Sequence, residues 1–202
     1  MKRVLALAAI GAAVFASSAL ARSDGGSTTV VDYGKSITLK ASVPGGGAGG
    51  KVTVAIKPCA FTAFATFASP PVSASGAVAY KVGPTMNTIY KVLSADRPVA
   101  TFTVQVRPAI AVKRLSPGHI QVTVTTGNGQ GLGGRRVAIQ QRTSSGHWKT
   151  VQTIPLKLTS RIDEIDAVAT GAGVVHGTNK VRAVLSAVQA KPCFAAATSP
   201  AA

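Results

Sequence analysis

Three histidines, two cysteines and six carboxylates are the side chains in this 202-residue chain best suited to carry chemistry. His119, His147 and His176 are scattered, and none stands at an i, i+2 or i, i+4 spacing with another ligand type. A zinc site needs that convergence, so none is expected. No serine sits in a Gly-x-Ser-x-Gly elbow, and six acids leave few candidates for general acid–base work. The expectation is a chain with no catalytic residue, no metal and no cofactor.

Asp163, Glu164 and Asp166 form the one acidic cluster, and hard carboxylate oxygens at such spacing are calcium ligands in other settings. Glycine turns and further acids are missing around them, so the simpler reading is a solvated loop that offsets Arg161. Gly45-x-Gly47-x-x-Gly50 and Gly129-x-Gly131-x-x-Gly134 both fit the dinucleotide fingerprint. That fingerprint works when a helix follows and offers its N–H groups to a pyrophosphate, whereas here a strand pattern follows each time. Both stretches read as inter-strand loops.

What the chain has in abundance is positive charge: 22 Lys and Arg against six acids, formally +16. Such a field attracts polyanions over long range without choosing among them. The basic residues alternate with apolar ones, at Lys51, Lys57, Lys81 and Lys91 and again at Arg135, Arg142, Lys149, Lys157, Lys180 and Arg182. Alternation places them on outward sheet faces, where they also guard strand edges. Specific nucleic-acid binding is not expected, because few aromatics interleave with the cations for base stacking. Phe61, Phe64 and Phe67 read as core filling or a junction patch.

The elements that must position these residues are short strands. Lys2 and Arg3, the apolar run Val4 to Ala16 and the small-x-small motif Ala19-Leu20-Ala21 read as a signal peptide, residues 1–21, removed on export. The run is short for a membrane span, and no second one follows. Beyond it, Ile37 to Val43 and Ile120 to Thr125 alternate apolar and polar residues, 83 positions apart. Glycine-rich stretches follow both and run into Lys51–Ile56 and Arg135–Gln140, 84 apart; Ile89–Ala95 and Val181–Ala187 match 92 apart. The economical reading is one module used twice, residues 22–106 and 107–202, with Arg107-Pro108 as a short junction. About seven strands per copy, the last near Cys193–Ala197, point to two tandem immunoglobulin-like β-sandwiches, an all-β chain.

Tyr33-Gly34-Lys35-Ser36-Ile37-Thr38-Leu39, Asn87-Thr88-Ile89-Tyr90, Val104-Gln105-Val106-Arg107-Pro108 and Gly146-His147-Trp148-Lys149-Thr150-Val151 together resemble secreted bacterial proteins with tandem Ig-like repeats, of the type common in actinobacteria. The resemblance covers nearly all of the chain after residue 21 and implies architecture without a shared catalytic set. It also implies recurring cysteines after the third strand and near the C-terminus, the places of Cys59 and Cys193. In an exported chain these are expected to pair. Ig-like topology would bring both to the junction, as an inter-module bridge; an intermolecular disulfide or two buried thiols are the alternatives.

The functional expectation is a secreted structural or adhesive protein at a cell surface, held by anionic envelope polymers or by a surface or secreted protein partner. The alternative is a module that binds a glycan or protein through inter-strand loops near Gly127–Gly134. There Trp148, Arg135, Arg136 and Lys149 are the candidate contacts. Oligomeric state is not legible.

Overall fold

Alternating apolar residues decide which strands form and which face of each is buried. The computed structural model describes residues 20–22, 28–116, 118–127, 132–162 and 166–202. The apolar run of the expected signal peptide, Asp163 and Glu164, and Gly129 and Gly131 of the second glycine-rich stretch lie outside the described residues. The first strands are β1 (Leu20–Arg22), β2 (Thr28–Asp32), β3 (Ile37–Ser42), β4 (Thr53–Pro58), β5 (Ala65–Ala68), β6 (Ala77–Val82), β7 (Thr88–Ser94) and β8 (Arg97–Arg107). The later elements are β9 (Ala109–Ser116), β10 (His119–Gly127), β11 (Arg136–Arg142), β12 (Trp148–Pro155), β13 (Lys157–Ile162), β14 (Asp166–Val174), β15 (Val181–Leu185), α1 (Ala187–Ala190) and β16 (Ala197–Thr198).

Four sheets result. The first pair has the orders β1-β3-β6 and β2-β8-β7-β4-β5, the second β13-β14-β10-β9 and β12-β11-β15-β16. In each pair one sheet sets β3 beside β6 or, in the second, β10 beside β14. The other sheet places the last strand beside the one before it and that one beside the third, as β8-β7-β4 and β16-β15-β11. This is the immunoglobulin-like order: B beside E in one sheet, G-F-C in the other, with a C′ strand added next to C. In the first pair β2 runs parallel to β8.

The buried side chains fall into two clusters. Ile37, Leu39, Val54, Val78, Val82, Tyr90, Val92, Phe102, Val104 and Val106 belong to one. Ile120, Val122, Val124, Val137, Ile139, Ile154, Val181, Ala183, Leu185 and Phe194 belong to the other. Burial pushes the Tyr90 phenol up to about 12, partly offset by its hydrogen bond with Thr88.

Burial corrects the register of the sequence matches. The 83-residue offset pairs Ile37 with Ile120 and Leu39 with Val122, all buried. An offset of 84 pairs buried Val52 and Val54 with exposed Arg136 and half-buried Ala138, so the buried pairs Val52/Val137 and Val54/Ile139 stand 85 apart. Likewise 92 sets buried Tyr90 against half-buried Arg182, while 91 pairs Lys91 with Arg182, both on the outward face. A one-residue slip exchanges the two faces of a strand.

Two later elements differ from expectation. β13 was not expected as a separate strand, and the chain at Cys193 is a turn rather than the start of the last strand, which is only Ala197–Thr198. α1 takes up part of that span; the Ser186 hydroxyl caps it by accepting from the Gln189 N–H at 3.4 Å.

Candidate functional site

The two sequence-predicted cysteines are joined. Cys59 follows β4 and Cys193 follows α1, 134 residues later, and they form a disulfide with Cα atoms 5.2 Å apart. Asn87, just before β7, uses all of its polar groups around this bond. Its N–H donates to the Cys193 carbonyl at 2.8 Å, and its carbonyl accepts from the Cys59 N–H at 2.8 Å. Its side-chain Nδ2 donates to the Pro192 carbonyl at 2.9 Å, while Oδ1 accepts from the Val106 N–H at 2.8 Å. Val106 in turn accepts from the Ala195 N–H. One amide side chain therefore ties β8 and the turn before β7 to the segment carrying Cys193.

Packing follows the same line. Met86 precedes Asn87, yet it is 1% exposed inside the cluster built by the later strands, with Cys59 packed against that cluster. At the end of β10, a Cβ on Gly127 would stand 2.3 Å from the Thr85 Cβ and 2.9 Å from its carbonyl oxygen. Thr85 approaches there as closely as only glycine permits. The Arg107–Asp32 ion pair, at 3.4 Å, lies half-exposed on the same side of the junction, on a groove shared with Val184 to Ser186 and Ala196 to Thr198. Such an exposed pair contributes at most about 1 kcal/mol.

The candidate ligand contacts do not converge. Trp148 pairs with Arg142 at the turn end of the β11–β12 hairpin, and Arg136 pairs with Pro155 at the other end. Six residues of strand separate them, roughly 20 Å at the usual rise. Arg135 Nη2 donates to the Lys191 carbonyl at 3.1 Å, and the Arg136 N–H donates to Gln189 Oε1 at 2.9 Å, so both arginines help hold α1. Lys149 is exposed beside Trp148, but alternation turns it to the opposite face.

What Trp148 meets is a residue sequence reading did not pair with it. The Arg182 guanidinium lies 4.3 Å from the indole centroid, and its Nε donates to Gln140 Oε1 at 2.9 Å. The three side chains come from β12, β15 and β11 on the outward face of one sheet. No sequence spacing links them; only the register Gln140↔Arg182 and Gln140↔Thr150 does.

A similar grouping stands in the first pair of sheets. Lys91 Nζ lies 4.3 Å and Lys57 Nζ 5.3 Å from the Phe64 centroid. The phenylalanines are therefore not core filling: Phe64 is half-buried under lysines, and Phe61 and Phe67 are 57% and 49% exposed. Phe67 meets Tyr80 edge to face across the flank of the sandwich, with centroids 6.1 Å apart.

Among the described residues, no three His, Cys, Asp or Glu side chains lie together as a metal site would require. His119 opens β10, His147 sits in the β11–β12 turn and His176 follows β14. Asp166 opens β14, and its two companions in the acidic cluster lie outside the described residues. Among the described residues no helix is long and apolar enough to cross a membrane.

No family model matches the chain, and no curated protein matches its sequence. Among solved structures, bovine butyrophilin is similar, with 12% identity and a TM-score of 0.36, covering 86% of this chain and 95% of that one.

Proposed function

We propose that this chain is an exported, non-catalytic structural or adhesive protein, built as two Ig-like modules, residues 22–106 and 107–202, that its junction holds as one stiff unit on an anionic cell envelope. The junction carries the reading. A disulfide, four hydrogen bonds of Asn87 and a buried Met86 restrain the elbow of a molecule with a formal charge of +16. A disulfide supports an oxidising, extracytoplasmic location, and the architecture agrees with the resemblance to secreted bacterial tandem-repeat proteins. The excess of cations favours polyanionic polymers as the envelope component, with a surface protein as the other partner class.

The alternative, a pocket in the loops near Trp148, loses support from the roughly 20 Å between Trp148 and Arg136. Retention of the oxidised protein on heparin and on isolated wall polymer, followed along a salt gradient, tests the reading. Binding should be lost well below 1 M salt, where the Debye length falls to about 3 Å. Retention indifferent to salt, or none at low salt, would refute it.

A further inference from the structure

We propose that Lys91 on Phe64 and Arg182 on Trp148 are two equivalent oxyanion-binding sites, one per half of the chain, that take the charged groups of a linear acidic polysaccharide. The inference rests on the polyanion reading above and names where that binding is concentrated. In both places a cation on the strand beside the third strand reaches an aromatic at the entry to the next strand over, Phe64 just before β5 and Trp148 at the first residue of β12. Its charge lies 4.3 Å from the ring centroid each time. The strand partners agree: Lys91 pairs with Ala55 of β4 and Arg182 with Gln140 of β11, and those partners stand 85 apart, the offset that matches buried Val52 with Val137 and Val54 with Ile139. The grouping thus recurs at one position of the fold, while Arg135 and Arg136 do not take part in it.

The rings do not neutralise these cations; they hold them in place, so that less side-chain freedom is lost when an anion arrives. Arg182 uses Nε on Gln140, leaving the two-pronged end of the guanidinium for a bidentate oxyanion. Lys57 adds a second ammonium at Phe64. Strands β11, β12, β15 and β16 contain no acid at all, and the single acid in the sheet of β7, Asp32, is paired with Arg107. Two like sites suit a ligand whose charge repeats. Rings already covered by a cation are poor platforms for bases, which favours a polysaccharide over single-stranded nucleic acid.

The test is titration calorimetry of the oxidised full chain at about 0.15 M salt, with alginate for carboxylate groups, dextran sulfate for sulfate groups and oligo(dT) as the nucleic-acid arm. F64L/W148L keeps every charge, K91Q/R182Q keeps both rings, and K81Q/K113Q removes two exposed lysines from the opposite sheets. The first two variants should each weaken binding of at least one polysaccharide about tenfold, about threefold for each site lost. K81Q/K113Q should stay within about twofold of the parent. The polysaccharide that shows this pattern names the oxyanion. Should K81Q/K113Q weaken binding as much as K91Q/R182Q, or K91Q/R182Q leave it unchanged, the sites are wrong while general charge association stands. If F64L/W148L folds and binds as the parent does, the clasps are likewise wrong. A parent that binds neither polysaccharide overturns this inference and the reading beneath it, and tighter, ring-dependent binding of oligo(dT) overturns the choice of ligand.

Discussion

Asn87 is the residue on which the junction turns, because it satisfies a backbone group on each of the segments that meet there. Replacing it by alanine keeps its own N–H and carbonyl bonds to Cys193 and Cys59 but strands the Val106 N–H and the Pro192 carbonyl. The Val106 N–H is part-buried and costs about 1–3 kcal/mol when unsatisfied, whereas the Pro192 carbonyl is exposed and open to water; each kcal/mol lowers the melting temperature of a chain this size by about 2–4 °C. Asn87→Ala should therefore melt several degrees below the parent in a calorimetric scan. An unchanged melting temperature would show that water replaces both bonds. The cysteines are legible in the sequence, because two thiols in a basic chain whose N-terminus reads as a signal peptide invite pairing. Asn87 carries no local signal, since nothing in the sequence distinguishes an amide that bridges 105 residues to Pro192. Arg182 and Trp148 were each legible as side chains, but their contact was not, because it exists only through the strand register.

At the scale of elements, the alternating patterns located all the longer strands, and the departures have physical causes. β13 reads Lys-Leu-Thr-Ser-Arg-Ile, mostly polar and without a clean apolar alternation, and it pairs antiparallel along β14. The helix α1 carried a readable signal: Ser186-Ala187-Val188-Gln189 has the Ser-x-x-Gln spacing of a capping box, half of which is realised, with Gln189 Oε1 turned to Arg136 instead. The matching strand patterns were visible, but their register was not, since glycine-rich loops absorb single-residue differences that only burial reveals. The turn between Gly83 and Asn87 is the element that crosses between the halves. Met86→Ala should cost about 2–5 kcal/mol, the loss expected from a cavity in a close-packed core. Because Met86 lies in the later cluster, the loss should appear as faster amide exchange in β10, β11 and β15 before β3 and β6. Uniform acceleration across all sheets, or in β3 and β6 first, would contradict that placement.

For the whole molecule the disulfide decides how the halves share their stability. It closes a loop of 134 residues that contains most of the first half, the junction and nearly all of the second. The chain-entropy estimate for such a loop is about 5 kcal/mol, an upper figure because a denatured chain keeps some structure. Met86 within the later core and Asn87 bridging to Pro192 add contacts that neither half makes alone. A chain coupled in this way should unfold as one unit, although tandem sandwiches joined only by a short linker can melt separately. The oxidised protein is therefore expected to show a single calorimetric transition whose van't Hoff and calorimetric enthalpies agree. In C59S/C193S the midpoint should fall by roughly 10–20 °C, taking about 2–4 °C for each kcal/mol lost, and the transition should broaden or divide as the halves lose their covalent tie. Combining that pair with Asn87→Ala should separate the transitions further. Two resolved transitions in the oxidised parent would show that the junction joins the halves without coupling them, and would remove the stiffness on which the proposed structural role depends.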